Sequence, residues 1–159
     1  MSIEQSFENE RTRARKKALV LLTDMDRTEA QLLEKLQKAG FSEAACEDAI
    51  RYVKGFGYVD DVRYADHYIE IRKQNYSRRR ISNDLTEKKK LSRQEVYDAM
   101  ERAGDWDERP LIRRLAEKKL RNLDLTDPAD YRRVTAYLAR QGFSASDIYA
   151  VMDELREES

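Results

Sequence analysis

The sequence predicts an all-α protein made of three tandem three-helix repeats stacked into an elongated, curved rod. Three observations carry that expectation. The chain is self-similar at a period of about 50 residues, long for a helix pair and right for three short helices. Apolar residues recur at helical spacing between runs of charge. Helix-starting and helix-closing residues punctuate those runs at matching places in each copy.

The repeat is clearest between residues 28–50 and 130–152. Gly40-Phe41-Ser42 falls on Gly142-Phe143-Ser144, Leu32 on Val134, Leu36 on Leu138, Cys46 on Ile148 and Ile50 on Met152. A middle copy begins at Ser77, with Ile81 and Leu85, then Leu91-Ser92, Val96 and Met100 at the same places once one residue is inserted. The expected repeats are residues 1–58, 59–104 and 105–159. Each is too small to bury a sufficient core alone, so neighbours are expected to share buried surface.

Thr28 with Gln31 has capping-box spacing, and Ser42, Ser77, Ser92, Asp130 and Ser144 stand where helices should begin, each offering an oxygen to unpaired first-turn N–H groups. Gly40, Gly55, Gly104 and Gly142 follow periodic runs as left-handed closing residues should. Pro110 and Pro128 suit first turns, where a missing N–H costs little. Nine helices follow, near 10–24, 28–39, 42–54, 61–74, 77–89, 92–103, 107–122, 128–141 and 144–157. The expected core stripes are Ala18, Leu22, Leu32 and Leu36; Tyr64, Tyr68, Ile71, Ile81 and Leu85; and Leu111, Leu115, Leu120, Val134, Leu138, Ile148 and Leu155.

Composition narrows the function classes. Of 159 residues, 39% are charged and 40% hydrophobic, which fits long helices with one buried stripe. The 31 basic and 31 acidic residues balance, excluding a uniformly basic body but not a local basic stripe. A single cysteine, Cys46, excludes an internal disulfide and makes a reducing cytosol the default. The polar start MSIEQSFENE lacks a signal peptide's apolar run, and no apolar run approaches a membrane span. Catalysis is not expected. One histidine, His67, and one cysteine in different repeats make neither a zinc site nor a Cys–His pair, and there is no Gly-rich phosphate loop or nucleophile elbow. Cys46, aligned with Val96 and Ile148, is expected in the core, and His67 at the surface. No cofactor or metal is expected.

Between the first two repeats lies Gly55-Phe56-Gly57-Tyr58-Val59-Asp60-Asp61-Val62-Arg63-Tyr64-Ala65. A well-made helix joint accounts for it: glycines close one helix, Tyr58 and Val59 insert apolar groups, and Asp60 or Asp61 caps the next. The same string, with the repeat, Arg72-Lys73, Arg78-Arg79-Arg80-Ile81, Asp84-Leu85 and a Lys-Leu-Ser turn, resembles the RecX family over residues 15–157. Gly57, Tyr58, Asp60, Asp61, Arg63 and Tyr64 carry the motif. The chain departs from the family pattern at Gln74-Asn75-Tyr76-Ser77 and at Lys90, where glycines are usual; Asn75 tolerates a left-handed turn. The resemblance implies a monomeric cytoplasmic regulator that lies in the groove of the RecA–DNA filament, bridges its subunits, and blocks ATP hydrolysis and strand exchange in recombination and repair.

The charges supply candidate contacts independently. Residues 72–93 hold nine Lys or Arg against two acids. Further clusters fall on Arg11, Arg13, Arg15, Lys16 and Lys17 and on Arg113, Arg114, Lys118, Lys119 and Arg121. At equivalent places in stacked repeats they would form a stripe able to follow phosphate or an acidic groove. The alternative is a solvated face laced with local ion pairs, as for Glu34 with Lys38. The contact candidates are Arg72, Lys73, Arg78, Arg79, Arg80, Lys88, Lys89, Lys90, Arg113, Arg114 and Lys118. Tyr64, Tyr68 and Tyr76 could stack on bases or be core residues. Single- or double-stranded DNA is a further candidate partner, bound weakly and without sequence preference. Two other readings stay open: a helix-turn-helix-like, sequence-specific DNA-binding protein, and a scaffold with no link to DNA.

Overall fold

A computed structural model describes residues 2–159. Among them are nine helices and no strand: α1 (Ile3–Asp24), α2 (Glu29–Lys38), α3 (Glu43–Gly55), α4 (Asp61–Arg72), α5 (Arg78–Glu87), α6 (Arg93–Ala103), α7 (Arg109–Leu120), α8 (Pro128–Arg140) and α9 (Ala145–Glu158). The protein is all-α, three helices to a repeat. Its residues gather into two compact units: those up to Tyr68 with Asp84–Ala99, and Ile69–Asn83 with Met100–Ser159. The division runs through the middle repeat.

The first unit is built on α1, α2 and α3. Ala14 and Ala18 of α1 are fully buried against Leu32, Leu36, Cys46, Ala49 and Val53. The small side chains on α1 let α3 approach closely, and Arg15 ties the two helices at the rim through Asp48, Nε to Oδ2 at 2.8 Å. The second unit repeats the plan with α7, α8 and α9 around Ile112, Ala116, Val134, Leu138, Val151 and Met152. Ala116 takes the place of the small residues on α1.

The caps form largely as expected. Thr28 accepts from Gln31 N–H at 3.2 Å while Gln31 Oε1 accepts from Thr28 N–H at 3.1 Å, and Ser92 with Glu95 does the same. Three expectations are corrected. Asp130 does not start α8: Asp127 caps it by accepting from Ala129 N–H, with Pro128 in the first helical position, and Asp130 accepts from Asp124 N–H instead. Gly55 remains helical, and Gly57 takes the left-handed turn at φ 75°. Ile71 is 52% exposed; α4 buries Ala65 and Ile69, one turn apart on another face, leaving Tyr64 and Tyr68 half-buried at the rim. Helix α1 also begins seven residues earlier than expected, at Ile3, behind a Ser2–Gln5 capping box.

One joint occurs twice. The Thr28 hydroxyl, besides capping α2, donates to the Lys89 carbonyl just past the end of α5 at 2.6 Å. The Ser77 hydroxyl caps α5 and donates to the Gln141 carbonyl just past the end of α8, also at 2.6 Å. Each receiving carbonyl precedes a left-handed residue, Lys90 at φ 65° and Gly142 at φ 100°. The neighbouring N–H is taken by an acid from the next repeat: Glu29 N–H donates to Asp61 Oδ1 at 2.9 Å, and Arg78 N–H to Glu108 Oε1 at 2.6 Å. Each joint therefore sets a helix N-terminus against a helix C-terminus, with a carboxylate on the positive end of the dipole.

Candidate functional site

In the first unit the segment from Gly57 to Tyr64 is a helix joint, with one correction: Val59 inserts as expected, but Tyr58 does not and is 51% exposed. Asp60 caps α4, accepting from Arg63 N–H at 3.0 Å, and the Arg63 guanidinium returns to the Gly57 carbonyl at 2.9 Å. Val59 is buried. Asp61 leaves its own helix to serve α2, and burial pushes its carboxyl above the usual range despite the Glu29 N–H. Tyr64 stacks on Tyr68 at 6.3 Å, and exposed Tyr58 on exposed Phe56 at 5.6 Å. His67 is exposed, beside Tyr64 and Arg63 in a small cleft. Cys46 is fully buried, and that burial pushes its thiol up.

The basic residues of this unit divide into neutralised and free. Arg11 pairs with Glu8, Arg15 with Asp48, and Arg13 lies over the Phe41 ring. Lys88 reaches Asp84 at 3.5 Å, whose other oxygen accepts from Tyr68 Oη–H at 3.2 Å. The Lys89 ammonium lies 5.6 Å from the Tyr68 ring. Lys90 is exposed and helps to lower the Glu34 carboxyl, behind the larger effect of Lys38.

In the second unit several arginines are held by an aromatic ring and neutral acceptors. The Tyr76 ring carries the Arg80 guanidinium at 3.7 Å and that of Arg72 at 5.3 Å. Arg80 Nη1 also donates to Gln141 Oε1 at 3.4 Å. Arg114 Nη2 donates to the Gln74 carbonyl and to Asn75 Oδ1 at 3.1 Å, so the turn that departs from the family pattern is held by an arginine. Arg78 packs over Trp106 at 4.2 Å and donates to the Gly104 carbonyl at 2.9 Å. Lys73 pairs with Glu70, and Arg113 is enclosed by Glu117, Glu154 and Glu158. Arg79 and Lys118 are exposed.

Sequence counting weighted these eleven cations alike, whereas Lys73, Lys88 and Arg113 are matched by carboxylates, and Arg78, packed on Trp106, also faces Asp105 Oδ1 at 3.9 Å. Arg79, Arg80, Arg114 and Lys118 in the second unit, and Lys89 and Lys90 in the first, have no ion pair among the described residues. Asn75 and Gln141, which help to hold two of them, were missed as site residues, and Tyr76, named only as a candidate for stacking on bases or for the core, carries guanidinium groups. The available signal was a tyrosine in a short turn with arginines close on both sides and few acids nearby. No group of three or more His, Cys, Asp or Glu among the described residues is placed to hold a metal, and no helix among them is long and apolar enough to cross a membrane.

Fold and surface together define an all-helical repeat protein of three-helix domains, with cations that lack ion pairs among the described residues in each of its two units. Residues 14–52 match the family model of the first three-helix domain of RecX, and residues 107–152 that of the third. The chain is 33% identical over 142 residues to the regulatory protein RecX of Vibrio campbellii, covering 86% of this chain and 88% of that protein. It is 32% identical over 137 residues to the regulatory protein RecX of Caldanaerobacter subterraneus, covering 85% of this chain and 66% of that one. The crystal structure of RecX from Lactobacillus salivarius superposes with a TM-score of 0.80 at 20% identity, covering 94% of this chain and 98% of that one, a likeness of fold. The chain belongs to the RecX family of regulatory proteins.

Proposed function

We propose that this chain is a cytoplasmic, non-catalytic regulator that binds the RecA–DNA filament along its groove and inhibits ATP hydrolysis and strand exchange. It acts as a monomer of three repeats, 1–58, 59–104 and 105–159. The observation that carries the reading is family membership across most of the chain, with regulatory proteins as the relatives. The contact set is Arg72, Lys73, Arg78, Arg79, Arg80, Lys88, Lys89, Lys90, Arg113, Arg114 and Lys118, with the cations lacking carboxylate partners contributing most. A fixed, uncompensated guanidinium loses less on binding an anion than one that must first leave an acid.

The test is a titration of the protein into recombinase filaments on single-stranded DNA, reading ATP turnover. Turnover falls to a plateau with the parent protein. Reversing Arg79 and Arg80 to Glu shifts the titration to at least about tenfold higher protein, as expected for two lost charge-assisted contacts. Turnover that the parent leaves unchanged refutes the function, and a double variant as potent as the parent refutes the contact set.

A further inference from the structure

We propose that the second unit holds a phosphodiester-binding site in which Arg80 and Arg114 are the contact residues and Tyr76 is a positioning residue. Three observations converge on the turn that carries Tyr76. Arg80 lies on the Tyr76 ring at 3.7 Å, with Arg72 on the same ring at 5.3 Å. Arg114 is anchored to that turn through Asn75 Oδ1 at 3.1 Å. The acceptors that hold the two arginines are all neutral: the Asn75 side chain, a backbone carbonyl, and the Gln141 amide at 3.4 Å. Neither Arg80 nor Arg114 has an ion pair among the described residues. Arg113, the immediate neighbour of Arg114, is by contrast surrounded by three glutamates.

The chemistry follows from that contrast. A guanidinium has five N–H donors, and a neutral acceptor uses one or two of them without touching the charge. Here the forks are oriented in advance while their charge and the rest of their donors stay open. A phosphodiester offers two anionic oxygens to such a fork. A ring beneath the guanidinium restrains it without a competing anion. Two forks on one turn suit a chain of repeated charges that carries no particular side-chain pattern, which favours nucleic-acid backbone over an acidic protein face. The assignment is read on free DNA, so its failure leaves filament inhibition untouched.

The experiment measures binding of the full-length protein to fluorescent oligo-dT by anisotropy across a salt series, with poly-glutamate of matched length as competitor. The parent binds with a negative slope of log K against log salt. Arg80→Gln with Arg114→Gln weakens binding about tenfold or more and removes roughly 1.4 from the slope, about 0.7 per single-strand phosphate contact. Arg80→Lys keeps the charge and loses the fork, and binds about threefold or more weakly. Tyr76→Ala weakens binding by a similar factor with the slope nearly kept, while Tyr76→Phe restores it, a pattern that general destabilisation would not give. Far-UV circular dichroism checks that each variant is folded; should Tyr76→Ala unfold, the arginine variants and Tyr76→Phe still decide. An Arg80/Arg114 double variant with the parent's affinity and slope overturns the site, and poly-glutamate competing as well as oligo-dT overturns the phosphodiester assignment.

Discussion

Replacing Gly142 by Ala tests the repeated joint most directly, because Gly40 supplies a matched control. Both glycines close the middle helix of a repeat with positive φ, 93° at Gly40 and 100° at Gly142. Either substitution forces an L-residue into a left-handed conformation, at about 1–2 kcal/mol. At Gly40 nothing lies within 4 Å of the added Cβ, so that strain is the whole effect. At Gly142 the Cβ would stand 2.6 Å from Ser77 Oγ and 3.2 Å from Arg79 Cβ. The Ser77 hydroxyl, buried and bound to both the Gln141 carbonyl and Arg80 N–H, must then move. Leaving buried polar groups unsatisfied adds about 1–3 kcal/mol. Urea unfolding followed by circular dichroism should therefore place Gly142→Ala roughly 0.5–1.5 M below Gly40→Ala, taking a slope of about 2 kcal/mol per molar. In a Ser77→Ala background the extra loss should largely disappear, as expected for coupled neighbours. Equal midpoints for the two glycine variants, or additivity with Ser77→Ala, would refute the account of the joint.

Other expectations follow from the same structure. Thr28→Val keeps the shape but removes the hydroxyl shared by Gln31 N–H and the Lys89 carbonyl, and should cost about 1–3 kcal/mol in urea unfolding where Thr28→Ser costs less. Asp61 and Asp48 should respond to pH with opposite signs. Burial raises the folded pKa of Asp61, so its contribution is most favourable below the ordinary carboxyl range and falls as pH rises through the folded value; Asp61→Asn should gain on the parent between pH 3.5 and 7. Arg15 lowers the folded pKa of Asp48, whose contribution is present above the ordinary range and lost as pH falls through the folded value; Asp48→Asn should lose on the parent over the same interval. Unfolding midpoints measured at both pH values decide each sign. The Cys46 thiol, fully buried and raised by that burial, should react with a disulfide reagent in denaturant and resist it in the native protein; fast native labelling would place it outside the core.

The sequence made the helices legible because their information is local. Apolar spacing and capping side chains act within one or two turns, and they located all nine elements. The overhang of α1 escaped notice because residues 3–9 offer only Ile3 and Phe7 as apolar groups, both exposed, beside a Ser2–Gln5 cap and charge. In α4 the large side chains Tyr64, Tyr68 and Ile71 outweighed the smaller true stripe of Ala65 and Ile69, since size was read as burial. The one-residue insertion in the middle repeat is visible in the structure: Phe41 N–H bonds back to Leu36 and Phe143 N–H to Leu138, but Leu91 N–H to Leu85, one residue further. The binding surface was less legible. A run of basic residues announces charge but not partners, and the partners that sort it, Asp48 for Arg15 or Glu158 for Arg113, lie 33 and 45 residues away. The joint had no signal at all, because a capping serine looks the same whether or not its proton goes to a carbonyl 64 residues on.

That joint has a direction. The first turn of α2 is finished by atoms from the second repeat, and that of α5 by atoms from the third. Helix α8 finishes itself: Asp127 serves Ala129, and Pro128 has no N–H to offer a successor. Dependence thus runs toward the C-terminus, from the first repeat to the second and from the second to the third. A chain emerging from the ribosome cannot complete one repeat until the next has been made, and loss of the last repeat would strip α5 of partners that loss of the first would leave in place.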